Sequence, residues 1–359
     1  MERKKSASRE PETGFRSYFP AITAFGFAAI LLGSMLSASA AAPALRGWVK
    51  GRGWGWIWGK DDQIGALNAL TDETRLEALR TVTSGRVYEL GVPYDRRSYK
   101  WPGHNPGEIM TFRSPEGVDR QGDAPPGPNP GRSFWHSCAL FISDNIGTQI
   151  DGLGHVTTGS DHHWYNGFNE ATAGGDFGIR RCDAAGIPPI VSSGVLIDVA
   201  GNKNVEQLAS GTRITAADLR AALAAQKTDV RPGDVVLIRT GTLRHWGEAG
   251  ADNATIGKYD SAGIDLDAAR WLVEEKGAIL IGADTSGLEA LPAKEGVPMP
   301  VHIYLLIEQG VHIGEFHFLE DLARDRVYRF IYIALLNKIR GAVAGFALRP
   351  IAFPSAGAN

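Results

Sequence analysis

Asn145, Gln149, Asp151 and His155 stand in a short frame of Gly and apolar residues. Positions i, i+4 and i+6 of such a segment converge where the chain bends, and Gly147 permits a bend. Asp151 is the strongest cation ligand of the set. Asn145 and Gln149 offer only neutral amide oxygens, which suit Mn²⁺, Mg²⁺ or Ca²⁺ better than Zn²⁺. His155 can be a ligand or a general base, because an imidazole titrates near neutrality. Metal-assisted hydrolysis needs this inventory: a few oxygen or nitrogen ligands, a position left for water, and a base nearby. Without a metal, the two amides would polarise a substrate carbonyl while His155 activates water. The bland alternative is that the amides and the carboxylate only satisfy backbone groups in a turn.

A second cluster comprises His302, Glu308, His312, Glu315 and His317. A helix–loop–strand return would bring His302 and Glu315 together as a ligand pair or proton relay; His312 and His317 read more simply as surface or strand positions. Asp284 sits at the end of an apolar run, and polar residues at strand ends often line clefts; it can equally cap the following turn. Residues 161–167 follow the first cluster closely, so His163 and Tyr165 are candidates for substrate contact. No Gly-x-Ser-x-Gly elbow supports a Ser nucleophile.

These residues need a scaffold. Residues 195–200, 235–240 and 278–283 are apolar, β-rich runs of the kind buried on both faces of a sheet. Shorter or aromatic-rich strands are expected at 87–91 and 327–336. Thr71 caps a helix over 71–83 with Leu76, Leu79 and Val82 on one side. Thr215 with Asp218 opens a capping-box helix through about Gln226. A third helix spans 265–276 and ends at Gly277. The alternation describes an α/β chain with a mixed central sheet. Residues 101–132 are dense in Pro and Gly and read as one long loop, a lid or binding loop.

The chain has 359 residues, 43% of them hydrophobic, and a formal charge of −3. Charges are mixed and no basic stripe marks a nucleic-acid partner. Arg3, Lys4 and Lys5 precede an apolar run from about Phe19 to Leu36, which ends in small residues with Ala38 and Ala40 as a cleavage signal. Residues 1–40 therefore read as a signal peptide, alternatively an N-terminal anchor, and 41–359 as a single domain outside the cytoplasm, periplasmic or secreted and free of the membrane after cleavage. Cys138 and Cys182 can pair after export, but buried, unpaired thiols are the simpler expectation. Four of the nine Trp lie between Trp48 and Trp58.

Several stretches together resemble the cyclase family of kynurenine formamidase-like and isatin hydrolase-like enzymes. They are residues 61–68, 145–155, 163–167, 233–241 and 282–285, with Pro300-Val301-His302 and 310–315. The resemblance runs from about Trp58 to Phe353. It implies a swivelling β/β/α cyclase-type fold and homodimers or homotetramers. It also implies hydrolysis of a small amide, formamide, cyclic amide or lactone through water on a divalent metal, Mn²⁺ or Zn²⁺. The family's two leading His ligands fall on Asn145 and Gln149, its Asp ligand on Asp151, its catalytic His on His155, and its later ligands on His302 and Glu315. This chain is then a variant in which amides replace two imidazoles. The Trp-rich start, with Trp58, resembles the family's N-terminal segment, which reaches toward a neighbouring subunit's cleft and so toward substrate. The competing readings are an exported non-catalytic small-molecule binder and a lyase or isomerase using the same His and Asp.

Overall fold

Residues 190–198, 235–239, 280–283 and 312–315 lie side by side as parallel strands. Helices connect them: Ala216–Ala225, then Leu266–Arg270 continuing into Trp271–Glu275, then Pro300–His302 continuing into Ile303–Gln309. Parallel strands need such crossovers, and the helices cover the sheet face that the strands' apolar side chains require to be buried. Val195, Leu196, Val235, Leu237, Ile281 and Ile313 are all fully buried in this core.

This computed structural model describes residues 45–356 except 105, 106, 125, 294 and 295. The signal segment expected at 1–40 lies outside the described residues. Residues 44–359 form one unit. Antiparallel strands extend the parallel core on both sides into a mixed nine-stranded sheet. On one side stand Arg329–Ala334, Ile351–Pro354 and Tyr88–Glu89; on the other, Gln149–Asp151 and Ala344–Gly345. The mixed α/β architecture is the one the sequence pattern describes. Among the described residues, no helix is long and apolar enough to cross a membrane.

The caps fall where the side chains predict them. Thr71 accepts from Thr74 N, and Thr215 accepts from Asp218 N, each in a reciprocal box. Gly277 takes a left-handed φ of 72° at the end of its helix.

Three expectations need correction. Residues 101–132 are not one loop. Gly107–Arg113 pairs antiparallel with Ser137–Ile142, and Pro115–Gln121 between them is a helix. Ser114 caps that helix and Pro115 occupies its first turn, a start signal that the surrounding Pro and Gly obscure. The helix expected over 71–83 spans Asp72–Arg80 and stops short of Val82; its Leu76 and Leu79 are 49% and 45% exposed, and Ala78 is its buried residue. Cys182 is buried as expected, but Cys138 is exposed on the hairpin, and both are free thiols.

Candidate functional site

The 145–151 segment is bent and tied down before it presents any side chain. Gly147 has φ 63°, and a Cβ there would lie 2.8 Å from the Tyr94 ring. Thr148 Oγ1 donates to Phe316 O (2.7 Å) and accepts from Val92 N (2.9 Å). Tyr94 OH donates to Thr148 O, and Asp144 Oδ2 accepts from Val343 N at 2.9 Å. The strand Gln149–Asp151 then pairs antiparallel with His312–Glu315, which sets Gln149 opposite Glu315. Side chains of directly opposed residues share a face of the sheet.

The result is a buried polar cluster. Gln149 Nε2 donates to Asn145 Oδ1 at 2.9 Å and to Glu315 Oε2 at 2.6 Å, with Asp151 Oδ1 at 3.5 Å. His302 enters from the first turn of its helix. Its Nδ1 bonds Glu289 Oε1, and its Nε2 lies 3.6 Å from Glu315 Oε1. Glu289 Oε2 also accepts from Val301 N, which fixes that carboxylate against the helix start. His155 closes a turn through its N–H to Gly152 O (3.0 Å), and its ring centroid stands 6.5 Å from that of His302.

Burial governs the protonation of this cluster. Desolvation, and then the Asp151 charge, raise Glu315 well above the ordinary carboxylate range. Burial pulls His302 down, but the bonds to Glu289 and Glu315 outweigh it and raise that imidazole to about 10.

The donor set fits a divalent cation. Asp151, His302 and Glu315 each offer a ligand atom, all within 4.8 Å of one another and all buried. Gln149 Oε1 and Asp151 Oδ2 are buried with no hydrogen-bond partner among the described residues, as is His155 Nδ1. Three carboxylates (Asp151, Glu289, Glu315) meet two imidazoles, and of these only His302 makes contact with a carboxylate. Buried negative charge in that excess calls for a cation or a proton.

Asn145, His155, Glu289, His302 and Glu315 line a cleft of about 830 Å³. Its other walls are mainly apolar, with Trp101, Val156, Leu291, Val297, Pro298 and Met299. Of the residues singled out in the sequence, the fold gathers Asn145, Gln149, Asp151, His155, His302 and Glu315, with Gln149 and Asp151 beneath the lining. Within the one chain it does not bring Trp58, His163, Tyr165 or Asp284 into the cleft lining. Trp58 stacks on Trp54 at 6.4 Å. His163 bonds Asp161 at 2.8 Å, and the Tyr165 hydroxyl donates to Asp62 at 2.7 Å. Asp284 is consumed by the turn behind it, accepting from Thr240 N and Gly241 N at 2.7 Å each. Glu308 stays outside the cleft, and His312 and His317 are fully buried away from its lining. His317 Nε2 meets the Tyr332 hydroxyl at 2.8 Å.

Sequence reasoning missed Glu289 and Asp260; Ser286 stands two residues after Asp284, at the strand end expected to line a cleft. Asp260 is buried on the cleft wall, accepting from Ser286 N (2.8 Å), Ser286 Oγ and Tyr99 OH (3.2 Å). Burial, opposed by those bonds, pushes it up to about 6. Neither Glu289 nor Asp260 lies in a spaced motif; only its place in a polar stretch after a buried strand hints at Glu289.

The Cyclase family model matches residues 88–290. A solved structure described as a novel cyclase is 32% identical, with TM-score 0.70, covering 82% of this chain and 95% of its own. Isatin hydrolase A from Ralstonia solanacearum is 20% identical, with TM-score 0.53, covering 74% and 91%. Isatin hydrolase A from Labrenzia aggregata, bound to benzyl benzoate, is also 20% identical, with TM-score 0.51, covering 75% and 94%. At that identity the two isatin hydrolases share the fold. No curated protein sequence matches the chain.

Proposed function

The chain belongs to the cyclase family, and from that membership we propose that it is a hydrolase adding activated water to a small amide, formamide, cyclic amide or lactone. The observation that carries the reading is the meeting of a base, His155, with the Asp151–His302–Glu315 group at an apolar cleft. The name isatin hydrolase, borne by two similar structures, is in keeping with a cyclic amide.

Asp151, Glu315 and His302 Nε2 are the groups that would hold a divalent ion, Mn²⁺ or Zn²⁺, with the amide oxygens of Asn145 and Gln149 beside them. Bound there, the ion would supply Lewis acidity and make water acidic enough to ionise near neutral pH. The chain's residues do the rest. His155 takes a proton from the attacking water at a ring nitrogen and returns it to the leaving group. Glu289 holds Nδ1 of His302 and so turns Nε2 toward Glu315, the orientation a carboxylate–histidine pair imposes on a ligand imidazole. Gln149 does not polarise a substrate carbonyl, because it is fully buried beneath the cleft lining. Trp101, Val156, Leu291 and Met299 enclose the apolar part of the substrate and exclude water.

This reading includes export, with residues 1–40 removed and the body acting in the periplasm or outside the cell, and assembly as a homodimer or homotetramer. The decisive test is product analysis with a panel of formamides, cyclic imides and lactones. In an active pair, His155→Ala lowers turnover about 10²–10⁴-fold while the melting temperature is unchanged. A folded His155→Ala protein with near-normal turnover removes His155 from the mechanism, and no turnover of any member by the native enzyme removes the substrate class.

A further inference from the structure

Gln149 occupies an unusual place in the cluster. It is fully buried, and its amide nitrogen gathers three oxygens from three residues: Asn145 Oδ1, Glu315 Oε2 and, more distantly, Asp151 Oδ1. Gathering oxygens around one centre is what a hard cation does. The other end of the same amide, Oε1, is buried and has no partner among the described residues. A buried amide oxygen without a partner is costly and calls for a donor or a cation.

A cation drawn to Asp151 and Glu315 cannot face the N–H groups of Gln149, since those carry partial positive charge. The amide has to turn about its last torsion, which is soft and roughly two-fold. Turning removes the N–H groups from Glu315 and Asn145 and presents Oε1 in their place. It frees the Glu315 oxygen and the Asn145 oxygen in the same movement. The centre then offers two carboxylates, two amide oxygens and one imidazole nitrogen, His302 Nε2. That is an oxygen-dominated set.

We propose that Asn145 and Gln149 make this centre selective for an oxygen-preferring divalent ion of the Mn²⁺ or Mg²⁺ kind, with the Gln149 amide turning to admit it. Raw affinity of nitrogen-rich sites rises steeply from manganese to zinc, whereas carboxylate and carbonyl donors favour magnesium, calcium and manganese. The two amides therefore narrow the zinc-over-manganese preference that a nitrogen-rich set creates. The inference deepens the metal-assisted reading above and rests on it for the presence of an ion. Its test is affinity, which succeeds or fails independently of turnover.

The experiment uses the full mature chain, stripped with chelator and then titrated separately with Mn²⁺ and Zn²⁺ by calorimetry. Mn²⁺ electron paramagnetic resonance reports bound ion directly. In the Asn145→His, Gln149→His double variant the ratio of zinc to manganese affinity rises at least tenfold over the native protein. Gln149→Glu, which keeps an oxygen ligand and removes the N–H groups that must turn away, strengthens Mn²⁺ binding at least tenfold and leaves the ratio within about threefold; it also serves if the double variant does not fold. An unchanged ratio in a folded double variant overturns the selectivity, and unchanged Mn²⁺ affinity in Gln149→Glu overturns the turning amide. A native protein that binds neither ion overturns the inference together with the metal-assisted part of the reading; hydrolysis that persists without metal keeps the hydrolase itself.

Discussion

Replacing Glu289 by Gln should uncouple His302 from its charge partner while leaving the cleft's shape intact. Gln has nearly the same volume, and its carbonyl oxygen can still accept from Val301 N, as Glu289 Oε2 does at 3.1 Å. What disappears is the carboxylate charge that faces His302 Nδ1. Burial by itself depresses an imidazole, yet His302 rises from 6.5 to about 10 because Glu289 and Glu315 face it. That rise corresponds to about 5 kcal/mol of preference for the imidazolium, at about 1.4 kcal/mol per tenfold change. Glu289 is the closer partner, in hydrogen-bond contact, whereas Glu315 stands 3.6 Å from Nε2. Half the effect, about 2–3 kcal/mol, is then a conservative share for Glu289, and the variant's imidazole should titrate roughly two pH units lower. Long-range ¹H–¹⁵N spectra of chelated, His-labelled protein read this directly. The native ring stays an imidazolium through pH 9; the Glu289→Gln ring loses its proton near pH 8. Stability follows in the same sense. A raised imidazole contributes fully below about pH 6.5 and loses that contribution as pH climbs toward about 10. Urea unfolding should therefore separate the two proteins by about 2 kcal/mol near pH 6, with the gap closing toward pH 10. A Glu289→Gln protein whose ring titrates like the native one, or a gap that widens with pH, refutes the coupling.

Two further predictions concern the walls of the site. Asp260 is raised from 3.8 to about 6, so the folded state holds its proton more tightly than the unfolded chain. Its contribution is most favourable below about pH 4 and worsens by about 3 kcal/mol as pH rises to about 6. Asp260→Asn should therefore gain stability relative to the native protein between pH 4 and pH 7 by urea unfolding, and a difference independent of pH would show that Asp260 is not so perturbed. Gly147→Ala places a Cβ 2.8 Å from the Tyr94 ring at a left-handed φ of 63°. It should cost at least about 1 kcal/mol and lower the melting temperature; an unchanged melting temperature would mean that the ring yields freely.

The parallel core was legible because a strand buried on both faces must be apolar almost throughout, and residues 235–238 and Leu280–Ala283 show that pattern undiluted. The Thr71 and Thr215 caps were legible because a hydroxyl at that position has one inexpensive use. The burial of Leu76 and Leu79 was not legible, because helical spacing identifies a face but not which neighbour covers it; here it remains exposed. The Gly107–Ile142 hairpin was lost in its Pro- and Gly-rich surroundings, since its strands alternate weakly and neither is buried on one face.

The candidate site divides along a different line. Asn145 to His155 lie within one bend, and His302 and Glu315 belong to one helix–strand return, so short-range geometry constrains both groups. Glu289 belongs to neither. It reaches His302 only because the chain after Leu280–Ala283 folds back across the helix start, and no spacing rule encodes that return. Asp284 and Asp260 make the same point in opposite directions. Asp284 ends a buried strand, where a cleft residue is expected, but three donors from Thr240 and Gly241 saturate it. Asp260 ends an unremarked surface helix, yet faces the cleft beside Ser286. A carboxylate's availability is decided by how many backbone donors the fold aims at it. Those donors come from residues distant in sequence, so the charge balance that makes the Asp151–Glu315 pair receptive to a cation becomes countable only once Glu289 is placed beside His302.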